Sequence, residues 1–123
     1  MARQLAASTL QRLERRLEAE RIRLTTILEE IDRQREARRL AESASDHNPD
    51  PDNADGGSHA LEMEIDISVE QNAKELLEKV LHAQDRMQKG LYGICEITGD
   101  PIPVARLEAL PYATMTVEAA SQR

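Results

Sequence analysis

Only a few residues of this 123-residue chain are of types that could do chemistry. In the run YGICEITG the only cysteine, Cys95, is followed three residues later by Thr98 and then Gly99. A second cysteine at that spacing would open a zinc knuckle, and a second pair would fall at about Thr116 and Ala119. None of these three residues binds zinc, and a structural tetrahedral site takes four ligands. His47 and His59 lie far away near the chain's middle, and His82 precedes Cys95 by several helical turns without a companion. The segment is therefore expected to be metal-free. Cys95 then reads as a small buried apolar residue, with a redox-sensing thiol as the alternative.

The second candidate is the acidic run DPDNADGG, with Asp52 and Asp55. Aspartate is a good turn former, so a solvated turn is the plain reading. An EF-hand is excluded, because counting from Asp50 the fifth position is Ala54 and the sixth is not glycine. A carboxylate-metal nuclease needs acids held by rigid elements, which one loop does not supply. The chain has no G-x-S-x-G, no phosphate loop and no His–carboxylate cluster at metal spacing. It reads as a binding protein, not an enzyme, and no cofactor is expected.

Charge is distributed unevenly. Residues 1–40 carry ten Arg against seven acids, residues 41–71 carry nine acids and no Lys or Arg, and residues 72–123 are nearly balanced. A purely acidic middle argues against phosphate binding there and for a basic neighbour or a cation. With two Tyr and no Phe or Trp, the chain also lacks the aromatics that stack on bases.

Two long helices must position these groups. Leu10, Leu13, Leu17, Leu24, Ile27 and Ile31 repeat at heptad spacing, with Glu20 and Gln34 in the remaining slots. No Gly or Pro interrupts residues 1–48, so a helix is expected from about 3 to about 43. Residues 43–59 hold two Pro, two Gly and many Asp, Asn and Ser, and form a turn. A second seam follows through Ala73, Leu77, Val80, Gln84, Met87 and Leu91, with Gly90 at the helix end. The stretch LEMEIDISVE, residues 61–70, alternates like a strand, while Leu61, Ile65, Val69 and Ala73 also share one helical face. Helix is expected, because a lone strand would leave its edge groups unpaired.

The fold class is thus mainly α: a long antiparallel helical hairpin over residues 1–91, with an acidic tip loop at about 44–60. Residues 92–123 form a small zinc-finger-like cap without zinc. Its apolar residues are Ile94, Ile97, Ile102, Val104, Leu107, Leu110, Met115 and Val117. Fully buried, these eight would contribute about 1.5–3 kcal/mol each, a gross term comparable to that of a structural zinc. A single cysteine fits a reducing cytoplasm, the N-terminus lacks the apolar core of a signal peptide, and no run is long enough to span a membrane.

The run YGICEITGDPIPVARLEALPYATMTVEA resembles the C-terminal zinc finger of the DksA/TraR transcription factors. Their pattern is approximately Y-G-x-C-x-x-C-G-x-x-I-P-x-x-R-L-E-A-x-P-x-A-x-x-C-x-x-C. Tyr92, Gly93, Cys95, Gly99, Ile102, Pro103, Arg106, Leu107, Glu108, Ala109, Pro111 and Ala113 match it. Thr98, Thr116 and Ala119 replace three ligand cysteines. At the tip, Asp52 and Asp55 match the family's two aspartates, whereas Asn53, Gly56 and Gly57 depart from the motif.

The resemblance implies binding to core RNA polymerase without sequence-specific contact to DNA. The coiled coil would enter the secondary channel and hold Asp52 and Asp55 near the active centre. Arg106 and Glu108 are expected to contact the helices or the polymerase. The family's alarmone ppGpp is disfavoured, since Lys79 matches one basic position but the others fall on Leu110 and Ala120. A cytoplasmic monomer acting in bacterial stress responses is implied. The alternative is a structural or self-associating coiled coil.

Overall fold

The computed structural model describes residues 5–44 and 55–122, with residues 55–59 as backbone only. Four helices follow in order: α1 (Ala7–Ala44), α2 (Asp55–Gln88), α3 (Val104–Ala109) and α4 (Val117–Ser121). At 1.5 Å per residue α1 is about 57 Å long and α2 about 51 Å. They lie against each other as the expected antiparallel hairpin. The stretch 61–70 is helical, and the only β feature among the described residues is one bridge, Ile94 to Pro101.

The seam joins large side chains to small ones. Leu13, Leu17 and Leu24 of α1 are buried in one cluster with Ala73, Val80 and Ala83 of α2, and Ile31 is buried farther along α1. Leu10 and Ile27 are partly buried beside them. Alanine on α2 allows close approach of the helices, so leucines on one side fill the space between them. Gln84, a polar seam residue, donates to Glu18 at 3.0 Å and so is not left unpaired. The bond from Arg21 first, and that from Gln84 second, hold the Glu18 carboxyl down at about 2.

Beyond Ile31 the seam changes character. Asp66 and Glu70, the α2 residues that face α1 there, accept from Arg38 at 2.6 Å and Arg35 at 3.0 Å. The neighbouring apolar residues Leu61, Met63, Ile65, Ile67 and Val69 are exposed, with Met63, Ile65 and Ile67 bordering the open clefts between the two helices. The alternating pattern therefore became a helix whose cross-hairpin contacts at this level are ionic, through Asp66 and Glu70.

Two boundaries differ from expectation. Helix α2 begins at Asp55, so residues 55–60 of the expected tip loop are helical. No proline follows Pro51 until Pro101, and aspartate suits a helix N-terminus, where its charge meets the positive dipole end. At the other end Leu91 lies at the surface instead of in the seam, because α2 stops at Gln88. The Gly90 N–H donates to Met87 O at 3.1 Å and the Leu91 N–H to Arg86 O at 2.8 Å. With Gly90 at φ +73° this is a Schellman stop, a conformation that glycine adopts at least cost.

The cap folds back onto the base of the hairpin. Tyr92, Cys95, Ile102, Leu107, Ala113 and Ala119 are buried in the same cluster as the α1 leucines. Gly93 sits at φ +86°, and a Cβ there would lie 3.1 Å from the Leu5 side chain. Of the eight apolar residues expected to hold this piece, only Ile102 and Leu107 are buried, and Ile97, Val104 and Val117 are exposed. A thin loop-rich layer has only one inward face. Hydrogen bonds supply the rest, among them Tyr92 Oη to Pro111 O at 2.7 Å and Ile102 N to Gly93 O at 2.8 Å.

Candidate functional site

The four positions of a zinc knuckle are gathered in the cap. Cys95 opens the loop 95–100, closed by Cys95 N to Asp100 O at 2.7 Å and Gly99 N to Cys95 O at 2.9 Å. Gly99 at φ +78° turns the loop. Thr116 caps α4, its hydroxyl oxygen accepting from the Ala119 N–H at 3.2 Å. Thr116 Oγ1 is 3.9 Å from Cys95 Sγ, close to the ~3.8 Å between two sulfurs in a tetrahedral zinc site with 2.3 Å bonds. Chain path and ligand spacing survive at that edge.

What remains is a donor cradle around one thiol. Cys95 is 2% exposed, and its sulfur accepts from the Thr116 N–H at 3.4 Å. Burial pushes the thiol up, but hydrogen bonds from the Thr98 hydroxyl and from the Thr116, Thr98 and Ile97 amides outweigh it. The result is a pKa lowered to about 6. Donors arranged around a thiolate suit a metal ligand, yet no group of three or more metal-binding residues exists among the described residues. The residues present do not fit a structural zinc.

The other expected site residues are dispersed. Asp52 lies outside the described residues, and Asp55 is the first residue of α2, described as backbone. Glu108 reaches α1: Arg12 bonds its carboxylate and Arg16 its carbonyl oxygen. Arg106 stays within the cap, donating to Met115 O at 2.9 Å. Lys79, Leu110 and Ala120 do meet, in a cleft of about 270 Å³ that includes His82 and Arg106. Two of those three positions are apolar, and Arg106 has its Nε–H bonded to Met115 O. His82, not singled out as a cap contact from the sequence, bonds Glu96 at 2.5 Å and ties α2 to the knuckle loop. Burial raises the Glu96 carboxyl, but the His82 bond and the charges of His82 and Arg86 lower it overall.

Residues 90–123 match the family of the prokaryotic dksA/traR C4-type zinc finger. General stress protein 16O of Bacillus subtilis is 50% identical over 66 residues, covering 54% of this chain and 40% of that protein. The RNA polymerase-binding transcription factor DksA of Caulobacter vibrioides is 43% identical over 68 residues, covering 55% and 48%. The chain thus spans less than half the length of these relatives. The solved structure of transcription factor DksA2 from Pseudomonas aeruginosa superposes with a TM-score of 0.71 at 28% identity, covering 94% of this chain and 83% of that one. At 21% identity and a TM-score of 0.55, the RNA polymerase binding protein and transcriptional regulator Dks of Chlamydia trachomatis shares the fold.

Proposed function

We propose that this chain, a DksA/TraR family member whose finger keeps one of four cysteines, regulates transcription by binding RNA polymerase through the secondary channel. The observation that carries the reading is the shape of the molecule combined with its charge. A hairpin about 50 Å long has its cap at one end. The helix ends Ala44 and Asp55 fall within residues 41–71, a stretch of nine acids and no Lys or Arg. Such a rod can carry carboxylates into a basic, Mg²⁺-containing pore while the cap stays outside. Asp52 and Asp55 act there by contact and electrostatics, without chemistry of their own. Glu108, fixed by Arg12 and Arg16, sets the angle between cap and rod. The cleft at Lys79 supports regulation that does not use ppGpp, because two of its three family positions, Leu110 and Ala120, offer no charge to a phosphate.

The test is binding of the purified chain to core RNA polymerase, with a photocrosslinker at residue 52. Crosslinks beside the catalytic centre are expected. Asp52→Asn with Asp55→Asn should abolish the effect on initiation while leaving the chain folded. Absence of binding at low salt, or crosslinks confined to the outer surface of the polymerase, refutes the reading.

A further inference from the structure

The outer part of α2 displays an apolar stripe that the tip reading leaves unused. Leu61, Ile65 and Val69 stand one turn apart on one face and are 58%, 54% and 44% exposed. They run about 12 Å along the helix. Ile65 also lines a groove, of about 470 Å³, with Glu62 and Asp66 of α2 and Gln34, Ala37 and Arg38 of α1. Single exposed apolar side chains are ordinary, whereas three in register beside a groove form the footprint of a helix.

Charge selects the occupant. Residues 55–70 hold five acids and no Lys or Arg. Asp66 and Glu70 are neutralised by Arg38 and Arg35, but among the described residues no ion pair reaches Glu62 or Glu64. A second copy docking α2 on α2 would bring these uncompensated carboxylates together, which costs energy. Phosphates would be repelled for the same reason. We propose that the Leu61–Ile65–Val69 stripe docks an amphipathic helix of a partner protein, with apolar anchors one turn apart and Lys or Arg on its flanks. The stripe includes neither Asp52 nor Asp55, and the proposal does not depend on the polymerase reading.

The test uses the full chain and a fluorescent peptide of about 20 residues, long enough to hold a helix, with Leu one turn apart between Lys and Arg. A control peptide replaces the bases by Glu. The protein variant is Leu61→Gln, Ile65→Gln and Val69→Gln, and it keeps the helix because glutamine is at least as good a helix former as isoleucine or valine. Circular dichroism and thermal unfolding verify that. Anisotropy should show binding of the basic peptide that weakens with salt and falls by about tenfold or more in the variant. Equal binding by variant and wild type, or equal binding of the acidic peptide, overturns the proposal. So does a dimer in sedimentation that the same substitutions dissolve, since a second copy then covers the stripe. Peptide docking without polymerase binding would leave this surface standing and remove the channel reading.

Discussion

Thr98→Cys, Thr116→Cys and Ala119→Cys together should rebuild a zinc site in the cap. The geometry is already close, with Thr116 Oγ1 at a ligand-to-ligand distance from Cys95 Sγ and a backbone N–H bonded to that sulfur. Without metal the triple variant should be less stable than the wild type. Losing the Thr116 cap on the Ala119 amide costs about 1 kcal/mol, and a larger side chain at buried position 119 costs about 1–3 kcal/mol. Zinc at about a thousand times its dissociation constant returns about 4 kcal/mol by linkage. For a chain of this size that is roughly 12–20 °C in Tm, at about 3–5 °C per kcal/mol. The assay is thermal unfolding with zinc or chelator, together with the cobalt–thiolate absorption of a tetrahedral site. The wild type should show neither a shift nor a band. A triple variant that unfolds at the same temperature with and without zinc, and binds no stoichiometric cobalt, would show that the cap keeps the family's path without its ligand geometry.

Because the folded Cys95 thiol is held at about 6 from an ordinary 9, its hydrogen bonds stabilise the fold fully above pH 9 and are lost as pH falls through 6. The stability difference between wild type and Cys95→Ala should therefore shrink from pH 9 to pH 6 in denaturant titrations, and thiolate absorbance of the native chain should titrate near pH 6. Gly93→Ala should destabilise more than Gly90→Ala: both carry the left-handed penalty of about 1–2 kcal/mol, but only at Gly93 does the new Cβ crowd Leu5, and urea midpoints will rank them.

The hairpin was legible because heptad spacing of Leu10 to Ile31 and an uninterrupted run of helix formers point the same way. Gly90 was legible for a different reason, since a helix stop needs a residue that tolerates positive φ. The distribution of burial in the cap could not be read, because its loops have no period and Ile97, Val104 and Val117 look no different from Ile102 and Leu107. Nor did the pattern of residues 61–70 reveal that Asp66 and Glu70 would take the inner positions. That outcome depends on Arg35 and Arg38 facing them across the hairpin, a relation between two segments that neither carries alone. The same holds for His82, whose partner Glu96 lies past the end of its helix. Asp52 and Asp55 were singled out only through the resemblance, since acidic turn residues look alike whether or not they touch anything.

The hairpin is glued in two ways along its length. Near the cap it is closed by hydrocarbon, which salt barely affects, while farther out it is closed by guanidinium–carboxylate pairs whose attraction fades as ions screen them. Stiffness is therefore graded, firm at the base and adjustable by the medium toward the free end. In concentrated electrolyte the two arms would part from the outside inward, and the chain would lose its outer reach while its base stayed shut.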